Sequence, residues 1–235
     1  MNYPRVLITG ASRGLGAALA RLAAARGHAL FLVARNGDEL AARARALGDQ
    51  VKVVTHAADL RDPHACAACI AAANDALGGI DALINNAGIG PYRPFAEYGS
   101  AAINDVLALN LAAPMQLAHA VLPQWLERGR GYLINIASDL ARRPLANMAP
   151  YVASKFGLLG FGASLHKEVR ARGVKVTTVL PGIIDSAFND GQEGSRDARW
   201  ALPTDPLAER IIELLQLPAT VTVDELMVHP AEGDY

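Results

Sequence analysis

Tyr151 and Lys155 stand four residues apart in Tyr151-Val152-Ala153-Ser154-Lys155, and Ser138 precedes the tyrosine by thirteen residues. On a helix this spacing places phenol and amine on one face, about one turn apart. An ammonium beside a phenol favours the phenolate, because an opposite charge stabilises the ionised form of an acid. Tyr151 is therefore expected to move from a pKa near ~10 toward the range where a phenol trades protons at neutral pH. Alone, Tyr-x-x-x-Lys also describes an ordinary solvated helix face, so the surrounding chain decides its meaning.

The chain opens with an apolar run, Arg5-Val-Leu-Ile-Thr9, followed at once by Gly10-Ala-Ser-Arg-Gly14-Leu-Gly16. An Ala-rich stretch from Ala17 to Arg26 reads as a helix that stops at Gly27. A strand, a glycine-rich turn and a helix N-terminus together cradle phosphate. Glycines admit the backbone close to a pyrophosphate, and the helix end presents free N–H groups and a positive dipole. The spacing is G-x-x-x-G-x-G, which departs from the usual G-x-G-x-x-G.

These residues need a scaffold, and the rest of the pattern supplies one. Further apolar strand candidates lie at 29–34, 51–55, 81–85, 131–137, 174–180 and 221–228. Helical stretches fall between them near 37–47, 62–77, 99–127, 151–172 and 205–215. Strands alternating with helices predict a parallel sheet covered on both faces, an α/β fold. No linker, repeat or low-complexity tail divides the chain, so residues 1–235 are expected to form one dinucleotide-binding domain. Residues 187–204 form the longest aperiodic stretch, and long irregular loops in compact domains are often lids.

The motifs TGASRGLG (9–16), Asp59-Leu60, Asn85-Asn86-Ala87-Gly88, Asn110, Ser138, Tyr-x-x-x-Lys and Pro181-Gly182 occur in the order seen in one family. On them the chain resembles the small, single-domain branch of the short-chain dehydrogenase/reductases, from about residue 5 to about 228. The resemblance implies a doubly wound Rossmann fold, with a seven-stranded, mostly parallel sheet and helices on both faces. It implies hydride transfer between a carbonyl and an alcohol. Tyr151 is then the general acid/base, Ser138 polarises the carbonyl, Lys155 tunes Tyr151 and Asn110 supports a water in a proton relay. The implied cofactor-binding residues are Gly10, Ser12, Arg13, Gly14, Leu15, Gly16, Arg35, Asp59, Leu60, Asn86, Ala87, Gly88, Tyr151, Lys155, Pro181, Gly182, Ile184 and Ser186. Ser186 stands where the family commonly has Thr in P-G-x-x-x-T, and the hydroxyl is kept.

Charge indicates which nicotinamide cofactor this is. NAD selection usually places a carboxylate after the second strand, against the ribose 2′-hydroxyl. Here Phe31-Leu-Val-Ala34 ends in Arg35-Asn36, and Arg13 sits within the glycine loop. Two guanidinium groups suit a 2′-phosphate through charge-assisted bonds, so NADP(H) is expected over NAD(H), which stays possible with Asp38 nearby.

Composition excludes several other classes. With 51% hydrophobic and 19% charged residues the chain is globular. A net charge of −1 offers no footprint for nucleic acid and no polybasic membrane anchor. Residues 106–126 lack Asp, Glu, Lys and Arg over a bilayer's length, but Asn110, Pro114, Gln116, His119, Pro123 and Gln124 interrupt them. A soluble, cytoplasmic protein without nucleic-acid or membrane partners is expected. By the resemblance, this helix and the one carrying Tyr151 pack against symmetry mates in a homodimer or homotetramer.

Cys66 and Cys69 form a lone C-x-x-C without histidines at ligand spacing, and they are expected to fill helix packing. No metal is assigned. Ser164-Leu-His-Lys167 matches S-x-x-K without the companion motifs of penicillin-binding enzymes. Two other readings compete with a reductase. A non-catalytic dinucleotide-sensing regulator has little use for Ser138, Tyr151, Lys155 and Asn110 together. A nucleotide-sugar epimerase of the extended branch needs a different first turn and a larger C-terminal part.

Overall fold

The computed structural model describes residues 3–49, 51–188 and 191–232. Its strands grow from short apolar runs: β1 (Arg5–Thr9), β2 (Ala29–Ala34), β3 (Val53–Ala57), β4 (Ala82–Asn85), β5 (Gly131–Ile136) and β6 (Val174–Pro181). Two further short strands, β7 (Ile184–Asp185) and β8 (Leu202–Pro203), pair only with each other, and β9 (Glu225–Val228) completes the main sheet. That sheet has seven strands in the order β3-β2-β1-β4-β5-β6-β9, and every pairing in it is parallel. The chain winds outward in both directions from the β1–β4 boundary. In such a sheet the crevice at the strands' carboxyl ends, at that reversal, is where ligands bind.

Side chains alternate across the sheet. On one face Val6, Ile8, Leu30 and Leu32 share a core with α1 (Gly14–Ala25), with Leu40 of α2 (Gly37–Ala46) and with α7 (Thr204–Leu214). On the other face Leu7, Phe31, Val33 and Leu133 pack against α3 (Pro63–Leu77) and α5 (Ala113–Arg128). This is the doubly wound Rossmann architecture, helices covering both faces. Asn36 caps α2 by accepting from the N–H groups of Asp38 and Glu39 at 3.1 and 3.2 Å. Asp62 caps α3 with Pro63 in its first turn.

Two helices carry the site. The long apolar stretch Ser100–Arg128 passes the length and composition test for a membrane span. It packs Val106, Leu109, Ala113, Leu117, Ala118, Val121 and Trp125 into the protein. It is not one helix: α4 (Ser100–Leu107) and α5 are joined by a π-helical turn, Ala108–Ala112. Pro114 follows that turn and has no N–H to give, which loosens the α-helical ladder there. α6 (Ala149–Val169) runs along β6 and touches the π turn.

Several expected boundaries move. β3 pairs over 53–57 rather than 51–55, and only 225–228 of the expected 221–228 joins the sheet. The expected loop 187–204 is shorter at its far end, because Leu202 and Pro203 form β8 and Thr204 opens α7. Asn189 and Asp190 of that loop lie outside the described residues.

Candidate active site

The glycine turn follows β1, and its backbone needs those residues. Gly10 and Gly14 have φ of +66° and +53°, where side chains are strained. A Cβ on Gly16 would run into the Gly10 carbonyl and lie 2.7 Å from Asn86 Nδ2. Thr9, fully buried, holds the turn against β4: its hydroxyl accepts from the N–H groups of Asn86 and Ala87, both at 3.0 Å. Asn86 answers by donating to the Thr9 carbonyl at 2.9 Å and the Gly10 carbonyl at 3.3 Å. The side chain assigned to the ribose thus fastens the glycine turn. Ser186 closes the other wall, its Cβ 3.3 Å from where a Gly14 Cβ would be. Pro181 and Gly182 end β6, with Gly182 N–H donating to the Val228 carbonyl at 2.8 Å, and Ile184 begins β7.

A continuous path leads from this turn to the reactive groups. Gly10 abuts Ala87, and Gly88 lies within 3.3 Å of Asn110 Oδ1 and 3.7 Å of Lys155 Nζ, measured from an ideal Cβ. Lys155 Nζ sits 5.5 Å from the centre of the Tyr151 ring and donates to the Ile136 carbonyl at 2.8 Å. Ser138, also buried, acts on the Tyr151 phenol and favours its ionised form. Tyr151 and Lys155, 8% and 4% exposed, are therefore buried together beside the glycine-lined crevice.

The electrostatics differ from the expectation that the lysine draws the phenol down. Burial pushes Tyr151 up to about 12, against the opposing bond from Ser138 and with a further upward push from the Asp139 charge. Burial also pulls Lys155 down to about 8. The ammonium is aimed at the Ile136 carbonyl and lies over the ring, so desolvation outweighs its attraction for a phenolate. At neutral pH the phenol holds its proton, which is the state a general acid needs.

Asn110, in the π turn, is fully buried with its amide committed. It donates to the Ile89 carbonyl at 2.7 Å and to Ser154 Oγ at 3.1 Å, and it accepts from Ile89 N–H at 2.9 Å. π turns of this kind recur at functional sites. Here it aims a polar side chain at the chain segment beside Lys155.

Around the glycine turn stand the expected cations and one more. Arg13 and Arg35 are exposed. Arg43 of α2, absent from the sequence reading, reaches back to donate to the Ser12 carbonyl at 3.0 Å. Asp59 is not an open acceptor: Arg61 grips its carboxylate with Nε at 3.0 Å from each oxygen, then reaches Asp105 of α4 at 2.7 Å. An i, i+2 Asp–Arg pair was visible in the sequence and signals this. Leu60 and Leu15 turn their side chains into the core. Cys66 and Cys69 are buried, and burial pushes their thiols up to about 11 and about 12, so they act as apolar filling.

Above Tyr151 lies an apolar wall. The Phe188 ring is 6.0 Å from the Tyr151 ring at 58°. Tyr92, Phe95 and Trp200 are each more than half exposed.

The crevice fits a nicotinamide dinucleotide on these grounds: a backbone cradle that a methyl group would fill, and guanidinium groups on its rim. Comparison with known proteins agrees. The family model for short chain dehydrogenase matches residues 4–196. The ketoacyl reductase HetN of Nostoc sp. is 37% identical over 180 residues, covering 76% of this chain but 63% of that protein. An alcohol dehydrogenase from Thermococcus sibiricus complexed with 5-hydroxy-NADP superposes with a TM-score of 0.92 at 28% identity, covering 98% of each chain. The 3-ketoacyl-(acyl-carrier-protein) reductase of Brucella melitensis, complexed with NADH, gives a TM-score of 0.88 at 25% identity, covering 98% of each.

Proposed function

The chain belongs to the short-chain dehydrogenase family of oxidoreductases, and from this we propose that it is an NADP(H)-preferring reductase of a carbonyl compound. The observation that carries the reading is the burial of Tyr151, Ser138 and Lys155 together, with Lys155 alongside the tyrosine ring and next to Gly88 of the glycine crevice. A nicotinamide nucleotide bound in that crevice supplies the hydride. Gly10, Ser12, Gly14, Leu15 and Gly16 would hold its pyrophosphate, and Asn86, Ala87 and Gly88 its neighbouring ribose side. Arg13 and Arg35 favour a 2′-phosphate, which supports NADP(H) over NAD(H). Asp59 and Leu60 flank the adenine end, with Arg61 competing for the Asp59 carboxylate. Pro181, Gly182, Ile184 and Ser186 line the nicotinamide end.

Tyr151 gives its proton to the carbonyl oxygen as the alcohol forms. Ser138 donates to the same oxygen where charge develops, a role worth about 10²–10³ in rate for comparable donors. Lys155 resupplies Tyr151 and holds ribose hydroxyls, with Asn110 and its π turn supporting the link to solvent. Phe188, Tyr92, Phe95 and Trp200 favour a substrate with an apolar body.

The reading extends to assembly as a homodimer or homotetramer through α5 and α6. Phe156 and Met115 are 45% and 42% exposed on these helices. Gly160 sits mid-helix with open space around it, where alanine would be about 1 kcal/mol better in an isolated chain. A close-packed partner helix explains that glycine.

The test is NADPH oxidation with a panel of 1,2-diketones, quinones and 3-oxo-thioesters. Tyr151→Phe should lower turnover by several orders of magnitude while NADPH binding, followed by fluorescence, changes little. A dehydrogenase reading is abandoned if Tyr151→Phe keeps comparable turnover.

A further inference from the structure

The residue after Ser138 is an aspartate buried inside the site. Asp139 is 8% exposed, and it leads the short turn Asp139–Ala141 that follows β5. Its Oδ1 lies 3.1 Å from Ser138 Oγ, and its Oδ2 lies 3.7 Å from His229 Nε2, just beyond β9. The ends of β5 and β9 and one turn therefore bring a carboxylate and an imidazole behind the serine beside Tyr151. We propose that Asp139, paired with His229, is a positioning residue that orients the Ser138 hydroxyl and sets the pH range over which Tyr151 gives up its proton.

The hydrogen-bond directions carry the argument. An ionised carboxylate can only accept, so the single proton of Ser138 is committed to Asp139. Ser138 Oγ in turn accepts from the Leu140 N–H at 3.2 Å. With that proton directed at Asp139, Ser138 cannot at the same time donate to the Tyr151 phenol, a contact that favours the phenolate. This arrangement keeps the phenol as the proton-bearing member. It also leaves Ser138 with a choice: its proton turns toward a carbonyl oxygen only as charge grows there, because in the ground state Asp139 is the stronger acceptor. Serine assistance is thereby weighted toward the transition state.

The charges around Asp139 give the sign. Tyr151 and Lys155 approach from α6, with the ammonium directed to the Ile136 carbonyl. His229 approaches from beyond β9. Arg142 and Arg143 share its own turn, and Arg142 pairs with Glu225 on β9. The part of β6 beside the turn, Thr177–Pro181, has no ionisable side chain. A negative charge beside Ser138 disfavours the phenolate of Tyr151, the direction in which Asp139 acts on it. Removing it should make Tyr151 easier to ionise.

This inference rests on Tyr151 being the acid, and the tests separate the two ideas. The alkaline limb of NADPH-dependent diacetyl reduction is measured for the wild type, Asp139→Asn, Asp139→Ser and Asp139→Glu. The limb should fall by about half to one pH unit in the Asn and Ser variants, as expected for removing one nearby charge in a partly screened site. Asp139→Glu should keep the wild-type limb, and NADPH affinity should stay within about twofold throughout. A turn-forming or packing role alone would change stability or turnover at all pH values and leave the limb in place. The proposal is overturned if the Asn and Ser variants keep the wild-type limb, if it moves upward, or if Glu shifts it as far as Asn. An inactive Tyr151→Phe beside an unmoved limb would sink only the Asp139 assignment, whereas an active Tyr151→Phe would sink the acid role itself.

Discussion

Gly90→Ala isolates the placement of Tyr151 from everything else in the site. Gly90 is buried and its φ lies outside the left-handed region, so alanine is acceptable to the backbone. Space is the constraint: an added Cβ lies 2.6 Å from Tyr151 Cδ2 and 3.0 Å from both Tyr151 Cε2 and Phe188 Cζ. Ordinary contact begins at 3.4 Å, so the tyrosine ring edge has to retreat by about 0.8 Å. Val106 and Met148 already pack with that ring, which leaves it no empty space to enter. Overpacking of this size costs about 1–3 kcal/mol, offset by less than about 1 kcal/mol from the stiffer unfolded chain. The effect on rate is larger, because misplacing a reacting group by 1 Å costs about 10²-fold. Turnover should therefore drop by about 10–100-fold, with NADPH affinity within about twofold and a melting temperature a few degrees lower. Adding Phe188→Ala should not restore the rate, since the deeper overlap is with Tyr151. Steady-state kinetics with a fluorescence titration decide it. Turnover within about threefold of the wild type would show that the glycine does not govern where the phenol sits.

Three other outcomes are expected. Replacing Arg13 and Arg35 together with alanine should lower the NADPH-over-NADH preference by about 100-fold, from two charge-assisted bonds, and an unchanged preference ratio refutes the 2′-phosphate assignment. Lys155→Met should abolish turnover yet raise unfolding free energy near pH 7 by about 1–3 kcal/mol. The sign follows from a folded pKa near 8, below the ordinary 10.5: the unfolded chain binds the proton more tightly, so wild-type stability climbs between those values. Denaturant titrations at pH 7 and 10 should show the variant's advantage shrinking at the higher pH. An advantage that grows with pH would contradict it. Phe156→Glu on the outer face of α6 should turn the assembly into monomers by light scattering, and an unaltered mass would remove α5 and α6 as the contact.

Much of this architecture can be read from the chain because its signals are local. β1 and β2 begin and end where expected, since each is a continuous apolar run stopped by a glycine or polar turn. β3 is displaced because Val51 is the apolar onset while the paired register takes Thr55 and His56 at the sheet's edge. The last strand starts late because Val221 is used in a turn, its N–H donating to the Pro218 carbonyl. Within the site, Tyr151 and Lys155 come together as their spacing implies, and Ser138 and Asn110 join them as the resemblance implies. The direction of the phenol's shift did not follow, because it depends on burial and on the distant Ile136 carbonyl, which no local pattern encodes. Arg43, His229 and the π turn escaped notice for the same reason: each acts through contacts set by tertiary packing.

The parallel pairing of Ile184 with Leu202 and Asp185 with Pro203 pins together the two ends of the segment between them. That short clasp settles the loop-closure entropy at its base, outside the seven-stranded sheet. The segment can accordingly change length or side chains while the hydride-transfer apparatus keeps its shape. Within this scaffold, the clasped segment and the sheet-borne residues beside Tyr151 are separately adjustable parts.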